Sequence, residues 1–379
     1  MPSEPKEPGP GQAPGFAARI AAVTRRMSEK GIDAVLCAAG PELPWLIGYE
    51  AMPLERLTML VVRVGSDPVL VIPRLEAPRV IERSGLFSVL AWQEWEDPLD
   101  IVAAMLGSAE RVAVTDRTWS SFLLGLQARA PKAAFSSAGG LFGPLRARKD
   151  AGELAALRAA GAQADQVALA LLAGEIPLVG RTEAEVAGQI SRLLLEAGHD
   201  RVNFAIVAAG PNGASPHHHP GSARIHVGDL VVCDFGGAVL WDSTPYCSDT
   251  TRTVAVGRAT ALQMEVHAVV EGARQAALAA AFAGTGCSSV DLAARSVIEE
   301  AGFGEYFVHR CGHGIGIEEH EAPYIAEGNH DLLEEGNVFS IEPGIYIPNS
   351  FGVRLEDIVA LGASGPELLN NSPRDLVVL

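Results

Sequence analysis

Apolar positions in the first part of the chain follow two alternating patterns. The stretch GFAARIAAVTRRMSEKGID, residues 15–33, has apolar residues at helical spacing and predicts a helix that stops at Gly31. The runs AVLCAA, LTMLVVRV, DPVLVIPR and RVAVTDR are short, apolar and bounded by Gly, Asp or Pro, which is typical of buried strands. Helices that alternate with such strands predict an α/β domain over residues 16–145.

From Arg146 onward the pattern changes to long amphipathic helices. A second helix is predicted in TEAEVAGQISRLLLEAG, which opens with Thr182 and Glu185 in capping-box positions. Strand-like runs follow in NFAIVAAG, GDLVVCDFGG and YCSDTTRTVAVG, then two helices near 260–283 and 289–301, then strands in NVFSIEPGIYIP and GVRLEDIVAL. A helix pair followed by a strand group, occurring twice, predicts a second domain over residues 146–379 made of two related α+β halves.

Composition narrows the classes of protein that these patterns allow. Hydrophobic residues make up 48% of the 379 residues and charged residues 20%, so a large buried core is available. The formal net charge of −17 argues against a nucleic-acid or anionic-membrane partner, because phosphate groups are neutralised by basic side chains.

Cysteine usage and the N-terminal residues predict where the protein resides. The five cysteines never form a CxxC pair, which is typical of a reducing compartment. Residues 1–15 are rich in Pro and Gly and have neither the basic nor the apolar region of a signal peptide, so they predict a disordered leader. Apolar runs are too short to span a bilayer. The expectation is a soluble, cytoplasmic protein.

Five ionisable residues of the second half stand beside apolar, strand-like text. They are Asp234 after LVVC, Asp249 in YCSDTTRT, His313 in HRCGHGIGIEEHEAP, Glu342 after NVFSI and Glu356 in GVRLEDIVAL. Each alone has an ordinary structural explanation, such as a turn, a cap or a solvent-facing position. Together, four carboxylates and one imidazole form an oxygen-rich set that favours Mn²⁺, Mg²⁺ or Co²⁺ over a thiolate zinc site.

Several longer motifs that contain these residues resemble a known family. The segments PHHHPGSARIHVGDLVVCDFG, YCSDTTRTV, HRCGHGIGIEEHEAP, SIEPGIYIP and GVRLEDI are similar to the metallopeptidases that include methionine aminopeptidase, prolidase and aminopeptidase P, and above all to their proline-specific branch. GIDAVLCAAGPELPWLIGYE resembles the N-terminal domain of that branch. The resemblance implies an α+β pita-bread catalytic domain preceded by a smaller, creatinase-type α/β domain.

The resemblance also implies roles for individual residues. Two divalent ions, Mn²⁺ by preference and Co²⁺ or Zn²⁺ as alternatives, would be held by Asp234, Asp249, His313, Glu342 and Glu356, with Asp249 and Glu356 bridging them. Glu342 would also shuttle a proton. Further active-site positions are His217, His309, His320 and Arg354, the last of these as a residue that orients a ligand. Gly312, Gly314 and Gly316 would let the backbone turn tightly or approach the substrate.

One departure from the family pattern concerns the two aspartates. Asp234 and Asp249 stand farther apart in the sequence than their counterparts do, with GAVLWDSTP between them. An insertion at a hairpin tip can leave both strands in register, so both residues are retained as ligands. Asp242 is a rival for the first ligand, but no apolar run precedes it. The longer hairpin could instead shape the substrate entrance.

The function implied is hydrolysis of the bond between an N-terminal residue and proline, by a hydroxide shared between two metal ions. Xaa-Pro dipeptides are the expected substrates of a homodimeric enzyme, and the alternative is aminopeptidase P activity on longer peptides. A metal-free, creatinase-like amidinohydrolase and a non-enzymatic binding module on the same fold are the other hypotheses. The absence of HExxH and GxSxG motifs argues against a zincin and an α/β-hydrolase.

Overall fold

The computed structural model describes residues 15–81 and 83–379, and it divides into two compact units. The N-terminal unit comprises the described residues up to Arg146 together with Trp241–Pro245, and the C-terminal unit comprises Ala147–Leu240 and Tyr246–Leu379. Apart from Gly15, the predicted disordered leader lies outside the described residues.

The N-terminal unit is built on one mixed sheet of six strands. Its strands are β1 (Ala34–Ala38), β2 (Met59–Arg63), β3 (Val69–Pro73), β4 (Ser88–Trp92), β5 (Arg111–Val114) and β6 (Ala134–Ser137). Their order is β4-β3-β2-β1-β5-β6, in which β2 runs antiparallel to both β1 and β3 and the other pairs are parallel. This sheet confirms the predicted α/β character of the first domain.

The helices of this part of the chain begin and end at recognisable signals. They are α1 (Phe16–Lys30), α2 (Glu42–Ile47), α3 (Pro98–Leu106), α4 (Ser120–Arg129) and α5 (Gly139–Ala147). Helix α1 buries Val23 and Met27 and ends, as predicted, at Gly31, whose φ of 63° is left-handed. Helix α2 was not predicted, because six residues are too few to display a helical period.

Two helix pairs form the outer layers of the C-terminal unit. They are α6 (Ala151–Leu172) with α7 (Glu183–Ala197), and α8 (Ala261–Ala280) with α9 (Cys287–Glu300). The predicted capping box is present, since Glu185 N–H donates to Thr182 and the Glu185 carboxylate accepts from Thr182 N–H. Helices α8 and α9 begin and end within three residues of the limits predicted for them, 260–283 and 289–301.

The strands of the C-terminal half fall into separate groups. They are β7 (Arg201–Ala209), β8 (Leu230–Trp241), β9 (Thr244–Cys247), β10 (Thr250–Ala255), β11 (Gly312–Gly314), β12 (Glu321–Ile325), β13 (Val338–Ile341), β14 (Gly344–Ile347), β15 (Phe351–Arg354), β16 (Asp357–Gly362) and β17 (Gly365–Leu368). One sheet has the order β10-β8-β7, with β9 also on β8. A second has the order β12-β11-β13-β16-β17, and β14 pairs with β15.

Each helix pair covers its own group of strands. Helices α6 and α7 share a core with β7, β8 and β10, while α8 and α9 share another with β12, β13 and β15. The order helix pair, then strand group therefore occurs twice, as the hydrophobic pattern predicted. A bridge between Thr251 of β10 and Glu356 links the two strand groups.

The state of the cysteines and the length of the helices can be compared with the expectations of unpaired cysteines and of apolar runs too short to span a bilayer. All five cysteines are buried and unpaired, and burial raises the pKa of the Cys311 thiol well above its ordinary value, so this thiol is a poor nucleophile. None of the helices within 15–81 and 83–379 is both long and apolar enough to cross a membrane.

Candidate metal centre

One cavity of the C-terminal unit, with a volume of about 470 Å³, contains every residue that the sequence singled out for chemistry. These residues are Asp234, Asp249, His313, Glu342, Glu356, His217, His309, His320 and Arg354. They come from both strand groups, so neither group alone forms the cavity. Phe204, Ile206 and Pro216 add apolar wall, and Arg310 and Glu319 also line it.

The long hairpin keeps the two aspartates in register. Asp234 lies within β8 directly opposite Thr251 of β10, and Asp249 lies in the two-residue break before β10. The residues between Asp234 and Asp249 form the end of β8, a turn at Asp242 and Ser243, and strand β9. Asp242 has a left-handed φ of 47°, pairs with Arg83 at 2.9 Å within the N-terminal unit, and is not among the residues that line the cavity. The structure thus places the rival aspartate at the hairpin tip.

His313 and Glu342 are brought together by neighbouring strands. His313 is the middle residue of β11, and Glu342 follows β13, which pairs with β11. Glu342 N–H donates to Cys311 C=O at 2.8 Å, which fixes the end of β13 beside the start of β11. As a result, His313 Nε2 lies 3.2 Å from Glu342 Oε1 and 3.8 Å from Asp249 Oδ2.

The glycines around His313 are required for close packing of strands. A Cβ atom at Gly312 would lie 1.9 Å from Ser340 O, and one at Gly314 would lie 2.2 Å from Ala322 O. A Cβ atom at Gly316 would approach Glu321 Oε1 to 2.6 Å. None of these three glycines has a positive φ. Gly312 and Gly314 lie in β11 and therefore do not form turns, and at all three positions the missing side chain allows neighbouring atoms of the protein to approach.

Glu356 reaches the same point from the other strand group. It lies between β15 and β16, and its N–H donates to Thr251 C=O at 3.2 Å. Thr251 Oγ1 in turn donates to Glu356 Oε2 at 2.7 Å. One ligand atom from each of Asp249, His313 and Glu356 lies within 4.8 Å of the other two, a spacing that suits a shared cation.

Arg354 orients two of these carboxylates. Its Nη2 donates to Asp234 Oδ2 at 2.6 Å, and its Nε donates to Thr251 Oγ1, which holds Glu356. Its Nη1 donates to Tyr346 Oη at 2.8 Å. The guanidinium is buried and nearly every donor is used, so it is held rigidly beside the acidic groups.

Three carboxylate oxygens of this cluster are buried without a hydrogen-bond partner among the described residues: Asp234 Oδ1, Asp249 Oδ1 and Glu356 Oε1. Burial, followed by the charge of neighbouring carboxylates, raises the pKa of Asp249 and of Glu356 well above the ordinary value. Unpartnered oxygens beside crowded negative charge need a positive partner. These residues therefore fit divalent cations.

The pKa values of Glu342 and His320 are both lowered, which keeps the carboxylate charged and the imidazole neutral at neutral pH. Burial opposes ionisation of Glu342, but the hydrogen bond and charge of His313, then His309 and Arg354, lower its pKa to about 2. Burial, with His313 and Arg310 nearby, lowers the pKa of His320 to about 4. At neutral pH the cavity thus contains a carboxylate acceptor and a neutral imidazole.

The three outer histidines differ in how far they are engaged. His309 Nδ1 donates to Arg310 C=O at 2.7 Å, so its Nε2 accepts from Tyr346 Oη at 2.9 Å. Both nitrogens of His309 are therefore occupied. The His320 ring lies 4.0 Å from the His313 ring, centroid to centroid. His217 lines the cavity on the loop between β7 and β8.

Tyr346, Thr251 and Glu183 support the site but were missed in the sequence. Tyr346 connects Arg354 to His309, and Thr251 connects Arg354 to Glu356. Glu183, at the start of α7, holds the loop that carries His217. Tyr346 stands in an apolar strand and Glu183 in a helix N-terminus, where both residue types are ordinary. No local signal distinguishes them, because their partners are distant in sequence.

Sequence models of two known domains match this chain. The model of metallopeptidase family M24 matches residues 155–363, and that of the creatinase/prolidase N-terminal domain matches residues 19–148. The first match contains all nine predicted site residues.

Named relatives match over nearly the whole chain. A Xaa-Pro dipeptidase of Lactobacillus delbrueckii subsp. lactis is 34% identical, with 93% of this chain and 96% of the relative covered. The crystal structure of dipeptidase PepE from Mycobacterium ulcerans is 38% identical, with a TM-score of 0.87 and coverage of 96% and 97%. Prolidase from Thermococcus sibiricus is 35% identical, with a TM-score of 0.91 and coverage of 97% and 100%.

Proposed function

We propose, from the premise that this chain belongs to metallopeptidase family M24, that it hydrolyses Xaa-Pro dipeptides with the help of divalent metal ions. The observation that carries the proposal is the convergence of four carboxylates and one imidazole on a single cavity, with buried oxygens that lack partners. Relatives that match almost end to end and are named Xaa-Pro dipeptidase or prolidase support the substrate.

The ligands of two metal ions would be Asp234, Asp249, His313, Glu342 and Glu356. When bound, such ions supply Lewis acidity, which polarises a peptide carbonyl and lowers the pKa of a water molecule. Hard oxygen donors favour Mn²⁺ as the first metal to test, with Co²⁺ and Zn²⁺ as alternatives. The predicted homodimer remains a prediction, and light scattering on the purified protein measures it.

The remaining polar residues have roles that follow from their surroundings. Glu342, ionised at neutral pH, accepts the proton of the attacking water. His320, neutral at the same pH, donates a hydrogen bond to the carbonyl oxygen as negative charge develops there. Arg354, Tyr346 and His309 form a chain of hydrogen bonds that positions these groups, and His217 faces the substrate from its loop.

The proposal is tested by metal analysis combined with peptide hydrolysis. We expect about two metal ions per chain after loading with Mn²⁺, and cleavage of Xaa-Pro in preference to Xaa-Pro-Yaa. Cleavage of the longer peptide alone would support the aminopeptidase P alternative. Activity that survives complete removal of metal would overturn the proposal and favour the metal-free, amidinohydrolase-like alternative. A chain that binds no metal would also overturn the proposal.

Substitution of Glu342 tests the proton-transfer role. We expect Glu342→Gln to lower kcat by about 10²–10⁴-fold, the usual contribution of a general base, while part of the metal is retained. Steady-state kinetics and metal content measured on the same sample separate the two effects. Glu300→Gln, on the exposed end of α9, is the matched control and should behave as wild type. A near-normal kcat in Glu342→Gln would remove Glu342 from the mechanism.

A further inference from the structure

Ser248 stands directly before the proposed metal ligand Asp249, in the two-residue break between β9 and β10. Its N–H donates to Gly237 C=O at 2.8 Å, as in an ordinary antiparallel pair of strands. The return bond departs from that pattern, because Gly237 N–H donates to the Ser248 hydroxyl oxygen at 3.1 Å. The side chain of Ser248 thus takes a place in the hydrogen-bond ladder that a backbone carbonyl ordinarily fills.

The Ser248 hydroxyl has a second partner in the His199 ring, and both residues are buried. His199 Nε2 lies 2.8 Å from Ser248 Oγ. The end of α7 orients the ring, since Leu194 C=O lies 3.2 Å from His199 Nδ1 and also accepts from His199 N–H at 3.0 Å. A carbonyl oxygen can only accept, so Nδ1 carries the proton and Nε2 accepts from the hydroxyl. Burial lowers the pKa of His199, which keeps the ring neutral.

Two glycines of β8 make room for the paired His199 and Ser248. A Cβ atom at Gly237 would lie 2.7 Å from His199 Cδ2, and one at Gly236 would lie 2.2 Å from Ser248 O. Neither glycine has a positive φ, so the packing depends on the missing side chains. The sequence FGG at residues 235–237 therefore accommodates the contact between the end of α7 and Ser248.

The backbone that follows Asp249 is held as well. Thr250 Oγ1 donates to Asp249 C=O at 2.7 Å and accepts from Asn370 Nδ2 at 2.6 Å. Since Ser248 is fixed on the other side, Asp249 is restrained from both directions. Burial and the charge of neighbouring carboxylates raise the pKa of Asp249, so this side chain stands among groups that repel it. A rigid backbone opposes that repulsion.

We propose that His199, acting through Ser248, is a positioning residue that holds the Asp249 carboxylate in place as a metal ligand. This inference rests on the proposed function. His199 is not among the residues that line the cavity, and its effect passes from the end of α7 through the ring and the hydroxyl to the backbone of Asp249. Hydrogen-bonding residues behind metal ligands contribute about 10- to 100-fold to metal affinity or activity.

Cobalt titration tests the proposal, because the visible absorption of Co²⁺ depends on how its ligands are arranged. We expect Ser248→Ala, which deletes the hydroxyl, and His199→Leu, which deletes the acceptor, to weaken Co²⁺ binding by about 10- to 100-fold. Both should also change the absorption spectrum of the saturated protein. His199→Gln places an amide oxygen near the position of Nε2 and should bind Co²⁺ within about threefold of wild type, since the hydrogen bond is retained.

Steady-state kinetics at saturating Co²⁺ gives a second readout. We expect Ser248→Ala to lower kcat for Ala-Pro by about tenfold while KM stays within about twofold of wild type. The reason is that a displaced ligand weakens interactions made in the transition state more than it weakens substrate binding. A change confined to KM would assign Ser248 to substrate binding and contradict the proposal.

His267→Leu is the matched control. His267 is a histidine of the same unit, 5% exposed against 4% for His199, and its Nε2 has no hydrogen-bond partner among the described residues. This variant should keep the Co²⁺ affinity and spectrum of wild type. Denaturant unfolding of the metal-free proteins measures how far each substitution destabilises the fold, which separates lost affinity from general destabilisation.

The outcomes separate the positioning role from the proposed function. Wild-type affinity and spectrum in both Ser248→Ala and His199→Leu would overturn the positioning role, and so would a His199→Gln variant that loses as much affinity as His199→Leu. Ser248→Ala decides the matter alone if His199→Leu folds poorly. If wild type binds Co²⁺ but cleaves no Xaa-Pro dipeptide, the proposed function fails, and the affinities of the variants still decide the role of His199.

Discussion

Glu183 shows how a single buried carboxylate can hold a loop over a site. Its side chain is fully buried and accepts hydrogen bonds from Ala209 N–H, Asn212 Nδ2, His218 Nε2 and Gly221 N–H, at distances from 2.8 to 3.3 Å. Burial alone would raise its pKa, but these donors lower it below the ordinary value of 4.5. His217 is next to His218 in this loop, so Glu183 positions a cavity residue that it does not touch.

We expect Glu183→Gln to destabilise the protein by about 1–3 kcal/mol at pH 7, since the amide cannot accept all four donors. Because the folded pKa is lowered, the stabilisation is complete above the unfolded value near 4.5 and is lost as pH falls through the folded value. The difference between wild type and variant, measured by denaturant unfolding, should therefore shrink below pH 4.5.

Glu196→Gln, on the exposed end of the same helix, is the control for this pH profile. It should show no such difference at any pH. A Glu183→Gln destabilisation that is constant between pH 7 and pH 3 would contradict the assigned charge of Glu183.

At the scale of elements, the approach of β11 to β13 decides where His313 and Glu342 meet. Ser340 Oγ accepts from His313 N–H at 3.0 Å and donates to Glu342 Oε1 at 3.1 Å. This contact depends on Gly312, because any Cβ atom there would overlap Ser340 O. A residue with no side chain thus sets the distance between two proposed ligands.

Gly312→Ala should force these strands apart and cost about 1–3 kcal/mol, the usual penalty for overpacking. Metal affinity should fall with it, since His313 adjoins the displaced residue. Gly188→Ala is the matched control: Gly188 occupies an exposed position of helix α7 with open space around it, and the substitution should stabilise the protein by about 1 kcal/mol. Thermal unfolding and metal titration of both variants measure the contrast. Unchanged metal affinity in Gly312→Ala would show that this approach is not essential.

At the scale of the whole molecule, the site belongs to one unit and the natural fluorescent probes belong to the other. All five tryptophans, Trp45, Trp92, Trp95, Trp119 and Trp241, lie in the N-terminal unit, whereas every lining residue of the cavity lies in the C-terminal unit. Calorimetry therefore detects the unfolding of both units, whereas tryptophan fluorescence detects the unfolding of the N-terminal unit.

We expect chelation to lower the unfolding midpoint of the C-terminal unit by about 5–10 °C. A metal present at about 100 times its Kd stabilises the folded state by about 2.7 kcal/mol, and a unit of this size shifts by a few degrees per kcal/mol. The tryptophan transition should move less than the calorimetric one. Equal shifts in both measurements would contradict this prediction, and no shift would argue against metal binding.

Much of the fold followed from local patterns. Helix α1 with its stop at Gly31, the capping box of Thr182 and Glu185, and strands β1, β2, β3 and β5 of the N-terminal sheet were predicted. Each depends on residues that are close in sequence, so hydrophobic period and end signals are sufficient. The edge strands β4 and β6 were missed, because they are mostly not buried and lack a continuous apolar run. Helix α2 was missed because a helix of six residues is too short to show its period.

The sequence by itself determined which residue types are available for chemistry and, through ordered motifs, the family to which the chain belongs. Only the tertiary structure decided how they are held. Asp242 was excluded because the longer hairpin places it at the tip, and Arg354 was found to hold Asp234 through a hydrogen bond between residues far apart in the sequence. The physical reason is that burial, unpartnered oxygens and hydrogen bonds between distant strands arise only when the chain has folded, and no local pattern records them.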